Sequence, residues 1–358
     1  MIRPPVALIA VVLIGIVLWD AFETIVLPRR VTRRWRLARF FYRLTWKPWA
    51  VIARRIAPRA RRESFLGFYG PLSLLFLLAL WAASLVLGFG ALHWSLGTAM
   101  HSPDGPPSLG TYVYLSGTTF FTLGLGDVTP RGPLARGLTV VESGIGFGFL
   151  ALVIGYFPVL YNAFSRREVS ITLLDPRAGS PPSVDELLRR HGRDHLHHLD
   201  RFLHEWERWT AELMESHLSY PVLAYFRSQH ANQSWLGALT TILDACALFM
   251  AGVRDDSTWE ARVTFAMARH AVVDLARVFH LRPRAPSADR LSSSDLARLF
   301  HLLAEVGRPP SDTAAAARRL ADLRRTYEPY VNALADHLLM PLPGWTSAPT
   351  MTPPTHDD

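Results

Sequence analysis

Two apolar runs with a shorter one between them limit what this chain can become. Residues 67–93 contain no Asp, Glu, Lys or Arg, and the run exceeds the roughly 20 residues a helix needs to cross a bilayer. Residues 134–164 form a second run, bounded by Arg131 and Arg136 before it and Arg166 and Arg167 after it. Between them, residues 94–110 are polar and rich in Gly, Pro and Ser, the composition of an exposed loop. Residues 110–121 are apolar and aromatic but too short to cross. At membrane depth, non-helical backbone survives only where it is buried or lines a cavity, because lipid offers it no hydrogen bonds. The pattern therefore predicts an all-α membrane protein in which a re-entrant helix and a Gly-rich segment sit between two spans.

That segment is Thr118-Thr119-Phe120-Phe121-Thr122-Leu123-Gly124-Leu125-Gly126-Asp127-Val128-Thr129-Pro130. Glycines at alternating positions, Gly124 and Gly126, permit dihedrals that a Cβ disfavours and let successive carbonyls face one side. A column of carbonyls can replace the hydration shell of an ion. With its flanking spans, the segment resembles the pore unit of the potassium channel superfamily over about residues 67–165. The resemblance implies an outer helix at 67–93, a pore helix at 110–121, a filter at 122–127 and an inner helix at 134–164. It implies ion binding by Thr122, Leu123, Gly124, Leu125 and Gly126, with Asp127 at the outer mouth. Thr119 matches the pore-helix threonine, and Tyr114 with Leu115 takes the place of the usual aromatic pair. Leu125 stands where tyrosine is commoner, and Leu115 and Thr118 weaken the usual clamp on the filter aspartate. Gly146 falls at the hinge glycine of the inner helix. One filter segment cannot enclose an ion, so a homotetramer is implied, with potassium as permeant ion and no cofactor.

The inner run carries further candidates. Ile154, Pro158 and Asn162 are spaced by four and share a helical face. Pro158 lacks an amide donor, which predicts a kink, and Ile154 is the candidate apolar gate. Glu142 is a carboxylate in an otherwise apolar stretch. A bare charge there is costly, so it must be protonated or hydrogen-bonded, with Ser116, Thr118 and Thr119 as the available donors. Support of the filter from the inner helix is its expected role.

At 358 residues, with 49% hydrophobic content and a net charge of +8, the chain has room for a membrane part and one soluble domain. Residues 5–27 are a further hydrophobic segment, followed by a basic stretch over 29–62 that begins at Arg29, Arg30, Arg33, Arg34 and Arg36. Cationic loops stay cytoplasmic, so the expected topology in the cell membrane is multi-pass, with the N-terminus outside and residues 165–358 inside. Leu37, Phe40, Phe41 and Leu44 share a face opposite Arg36, Arg39, Arg43 and Lys47, which suits an interfacial helix meeting anionic lipid headgroups, with topological anchoring alone as the reading taken first. Lys47 is the sole lysine, so no guanidinium-specific chemistry is read from the arginine excess. Nothing in the pattern points to nucleic acid.

Gly-Leu-Gly-Asp also occurs in intramembrane aspartyl proteases, and Asp20 is the second aspartate such an enzyme would need beside Asp127. Because Val-Thr-Pro follows Asp127, it belongs at a surface, and Asp20 is expected to pair locally with Arg29 and Arg30. A passive, non-enzymatic pore is therefore the reading taken, with that protease and a non-conducting membrane-anchored sensor as alternatives.

Beyond a linker at 176–183, helical periodicity runs through 194–217, 233–253, 257–281, 294–306 and 311–340, with capping patterns at Ser183–Glu186 and Ser257–Glu260. A disordered tail is expected from 341. No Gly-x-Gly-x-x-Gly occurs, so the second half is expected to be a helical cytosolic domain without a nucleotide-binding fold. His191, His195, His197, His198 and His204 cluster there; His191 and His195 have metal-ligand spacing, but solvated or capping histidines are the reading taken. Cys246, the one cysteine, reads as a small core residue.

Overall fold

A computed structural model describes residues 3–27, 37–103, 105–191, 197–230, 232–252, 258–286 and 288–347. The basic positions 29–36, His195, Ser257 and residues 348–358 lie outside these, as do the side chains of His197 and His198. The chain divides into two compact units, Met1–Asn162 and Ala163–Asp358.

Among the described residues, the regular structure of the first unit is helical apart from a two-residue ladder. Helix α1 (Pro4–Ala21) ends in a π-helical turn, Phe22–Val26. Helix α2 covers Leu37–Arg55 and α3 covers Arg59–Leu96. Helix α4 (Leu109–Phe120) is the short one, and α5 runs 47 residues, Gly132–Ala178. Strands Met100–His101 and Thr129–Pro130 pair antiparallel and tie the loop after α3 to the chain just before α5.

Helix α3 is the post on which the others stand, and small residues set the contacts. A Cβ on Gly88 would come within 2.8 Å of Ile14 on α1, and one on Gly90 within 2.8 Å of the Val113 Cα on α4. Larger residues would push both helices away. Aromatic pairs seat α2, with Trp46 and Tyr69 rings 4.7 Å apart and Trp49 stacked on Phe65 at 4.4 Å. The shared face expected on α2 is divided. Phe41 is buried against Phe76 of α3, whereas Leu37, Phe40 and Leu44 are exposed. The exterior of this unit is apolar: Leu8, Ile9, Phe68, Phe76, Val140 and Phe147 are all more than half exposed. Such a surface suits lipid or neighbouring protein, not water.

The second unit contains α6 (Val184–His191), α7 (His197–Ser219), α8 (Trp235–Gly252), α9 (Trp259–Val278), α10 (Ser293–Glu305) and α11 (Thr313–Leu338). Among the described residues, four helices are long and apolar enough to cross a membrane, and α8 is one of them. Yet α8 is 94% buried inside the protein, against 11% for α5. Packed against α9 and α11, it is the central helix of this unit's core. Its Asp244 is buried and receives both terminal nitrogens of Arg290 at 3.0 Å. Arg290 also meets Glu328 at 2.9 Å. A buried charge is tolerable only when paired in this way.

Three local expectations are corrected. The inner helix does not stop near 164, because Ile171 and Leu174 continue its apolar face and are buried in the second unit. Ser183 does not cap α6; its hydroxyl donates to Asp185 Oδ1 at 2.6 Å, which also accepts the Glu186 amide. The stretch from 341 to 347 is ordered into the core, since Trp345 is buried and its carbonyl accepts the Val184 amide at 3.1 Å.

Candidate functional site

The candidate filter leaves α4 at Phe121 and turns back on itself. Thr122, Gly124 and Gly126 have φ of 56°, 57° and 79°. Every second residue is thus left-handed, a conformation that side chains resist and glycine accepts. Thr122 adopts it despite its β-branched side chain, held by its own backbone: the Thr122 amide donates to Thr119 O at 3.0 Å. The Leu123 and Gly124 amides both donate to Thr118 O, at 2.8 and 3.4 Å. Donors therefore point back into the end of α4. Among the described residues, no carbonyl from Thr122 to Gly126 accepts a backbone hydrogen bond. Leu123, Leu125 and Asp127 are exposed on the single chain.

The outer end is clamped. Tyr114 donates its hydroxyl to Asp127 Oδ2 at 2.7 Å. The weakening expected from Leu115 and Thr118 is thereby offset one residue earlier on α4: Leu115 is buried, and the Thr118 hydroxyl donates to Leu115 O at 2.9 Å. Thr119 serves through its carbonyl.

Behind α4, Glu142 is fully buried. Of the three donors foreseen, the structure selects Ser116, whose hydroxyl also lies 2.7 Å from Val86 O on α3. His93, near the end of α3, brings Nε2 to 4.0 Å from Glu142 Oε2 and is itself fully buried. Sequence reasoning passed over His93 because a span free of Asp, Glu, Lys and Arg still admits histidine. The available signal was an ionisable residue inside a span.

Gly146 lies where α5 crosses the end of α4, and a Cβ there would collide with the Phe120 carbonyl. Close approach, in addition to any bending, requires glycine here. Helix α5 passes Gly146, Ile154, Pro158 and Asn162 without a break, and the last three are exposed.

Asp20 and Asp127 are given separate partners. Asp20 Oδ2 accepts the Trp81 indole at 3.1 Å and the Ala38 amide at 3.0 Å. It thus joins α1, α2 and α3, and its expected partners Arg29 and Arg30 lie outside the described residues. The histidines also separate. His191 Nδ1 meets Leu187 O at 2.9 Å, while His204 is exposed beside Glu207 at 3.6 Å. Cys246 is fully buried, and burial raises its thiol's pKa.

The site is a short helix and a glycine-alternating loop set between two long apolar helices, in an all-α membrane protein. Residues 74–161 match the family model described as an ion channel, which supports an ion-channel pore domain over this stretch. The chain is also similar to an uncharacterized membrane protein, YdjJ, of Bacillus subtilis (strain 168). The two are 25% identical over 199 residues, covering 52% of this chain and 55% of that protein. The chain thus matches little more than half the length of that relative. No solved structure matches the chain.

Proposed function

We propose that four copies of this chain form a potassium-selective pore that conducts passively along a fourfold axis. The observation that carries the reading is the alternation of left-handed residues at Thr122, Gly124 and Gly126, with the neighbouring amides turned into α4. In a tetramer the opposite face would carry four strands of carbonyls, which suits a dehydrated potassium ion. The exposed Leu123 and Leu125 would then be covered by neighbouring copies. The N-terminus lies outside the cell membrane and the second unit lies in the cytosol. The exposed Leu37, Phe40 and Leu44 of α2 rest in the inner headgroup region, with the basic residues of 29–62 meeting anionic lipid. Ile154 lines the cytosolic gate. The second unit biases opening through α5, which enters it without interruption.

The test is ion flux from liposomes containing the purified full-length protein. Potassium should leave far faster than sodium, barium should block it, and Gly126→Ala should abolish the preference by disfavouring the left-handed backbone. Equal potassium and sodium flux in the unmodified protein refutes the reading.

A further inference from the structure

Behind α4, hydrogen-bond accounting leaves two buried atoms 4.0 Å apart, each without a hydrogen-bond partner. Thr98 has one hydroxyl hydrogen, and its Oγ1 lies 3.3 Å from the His93 carbonyl, which accepts it. Thr98 Oγ1 therefore accepts from His93 Nδ1, 2.9 Å away. With Nδ1 carrying the hydrogen, Nε2 of a neutral ring is a bare lone pair. It points at Glu142 Oε2, 4.0 Å off. Both atoms are buried and neither has a hydrogen-bond partner. On the other carboxyl oxygen, Glu142 meets Ser116, whose single hydrogen is shared between that oxygen and Val86 O.

We propose that His93 and Glu142 share one proton, forming a buried proton-binding site that ties α3 to α5 behind the pore helix. Whether the proton sits on Glu142 Oε2 or on His93 Nε2, the other atom accepts it, so a single proton satisfies both orphans once they close by about 1 Å to hydrogen-bond distance. Without it, a buried carboxylate faces a lone pair and the two repel. A second proton leaves an imidazolium beside a neutral acid. The bridge therefore exists in a middle pH window and is lost as pH rises through the pair's titration. The two tyrosines of α4 are engaged elsewhere: Tyr112 donates to Thr98 O at 2.9 Å, and Tyr114 donates to Asp127. Arg3, just before α1, stacks on Trp94. Because Ser116 sits on the pore helix, release of Glu142 also releases the back of the filter. That last step rests on the channel reading above, whereas the shared proton does not.

The experiment is solid-state NMR of histidine-labelled, full-length protein in lipid, alongside potassium flux from the same liposomes, both across pH. The His93 Nε2 resonance is assigned by its loss in His93→Gln. In the unmodified protein it should sit at a hydrogen-bonded position in the middle window and revert to a free acceptor at high pH, with flux falling together. Glu142→Gln puts an amide donor opposite Nε2, so resonance and flux should both lose their pH dependence. Glu142→Leu should leave Nε2 free at every pH. An identical Nε2 resonance in the unmodified protein and Glu142→Leu within the middle pH window overturns the proposal, as does a Glu142→Gln profile that still follows pH. The expected shifts without potassium flux in any variant would uphold the shared proton and refute conduction.

Discussion

The Tyr114 hydroxyl donates to Asp127 at 2.7 Å and joins α4 to the far end of the glycine-alternating loop. The bond spans residues 121–128, whose backbone is neither helix nor ladder. It holds the end that the Thr118 and Thr119 carbonyls do not reach. Tyr114→Phe keeps the ring and removes the donor, so single-channel records should show shorter openings and faster inactivation with unitary conductance unchanged. Unaltered open times would show that Asp127 is held by other groups.

Gly146→Ala places a methyl group against the Phe120 carbonyl, which belongs to backbone and cannot swing aside. The yield of folded protein should collapse. Gly148→Ala is the control, since nothing lies within 4 Å of a Cβ there. Gel filtration of the two variants reads the difference, and equal yields would remove close packing as the reason for glycine at 146.

Much of this was legible in the chain, and the limits have physical causes. The two apolar runs, the short helix and the glycine alternation follow from local composition and period, which is why α3 and α4 cover the runs that predicted them, whereas α5 covers its run and continues to Ala178. Side-chain direction across helices does not follow from period. Phe41 leaves its expected face because α3 offers Phe76, and Ser116 wins Glu142 because Thr118 spends its hydroxyl on Leu115 O. Hydropathy cannot separate a helix buried by lipid from one buried by protein, so α8 has the length and composition of a span while forming a core.

The second unit should lose stability in acid. Burial and then the neighbouring Arg167 charge hold His217 well below the usual imidazole range, and burial lowers His337 from 6.5 to about 4. Arg167 donates to His217 Nε2 at 3.2 Å, which requires that nitrogen unprotonated. Folded pKa values below the unfolded value mean the stability is present above about pH 6.5 and is lost as pH falls, because the unfolded chain takes up the protons. For His337, the fall from 6.5 to about 4 corresponds to about 3 kcal/mol. Tryptophan-fluorescence melting of the full-length protein should show Tm dropping between pH 6.5 and 4, with a shallower drop in His337→Phe. A Tm flat across that range would contradict buried neutral histidines.

Ile154 is 64% exposed on the single chain and lies on the face shared with Pro158 and Asn162. If that face lines the cytosolic end of the pore, Ile154→Asp should hydrate the constriction and raise basal open probability. Single-channel recording decides it, and an unchanged open probability would place the gate elsewhere.

The central claim is that the backbone from Thr122 to Gly126 selects potassium, and a reversal potential measures this most directly. With potassium on one side of a planar bilayer and sodium on the other, the full-length protein should reverse close to the potassium limit. Gly126→Ala should move that potential toward zero. A reversal potential near zero in the unmodified protein would contradict the account.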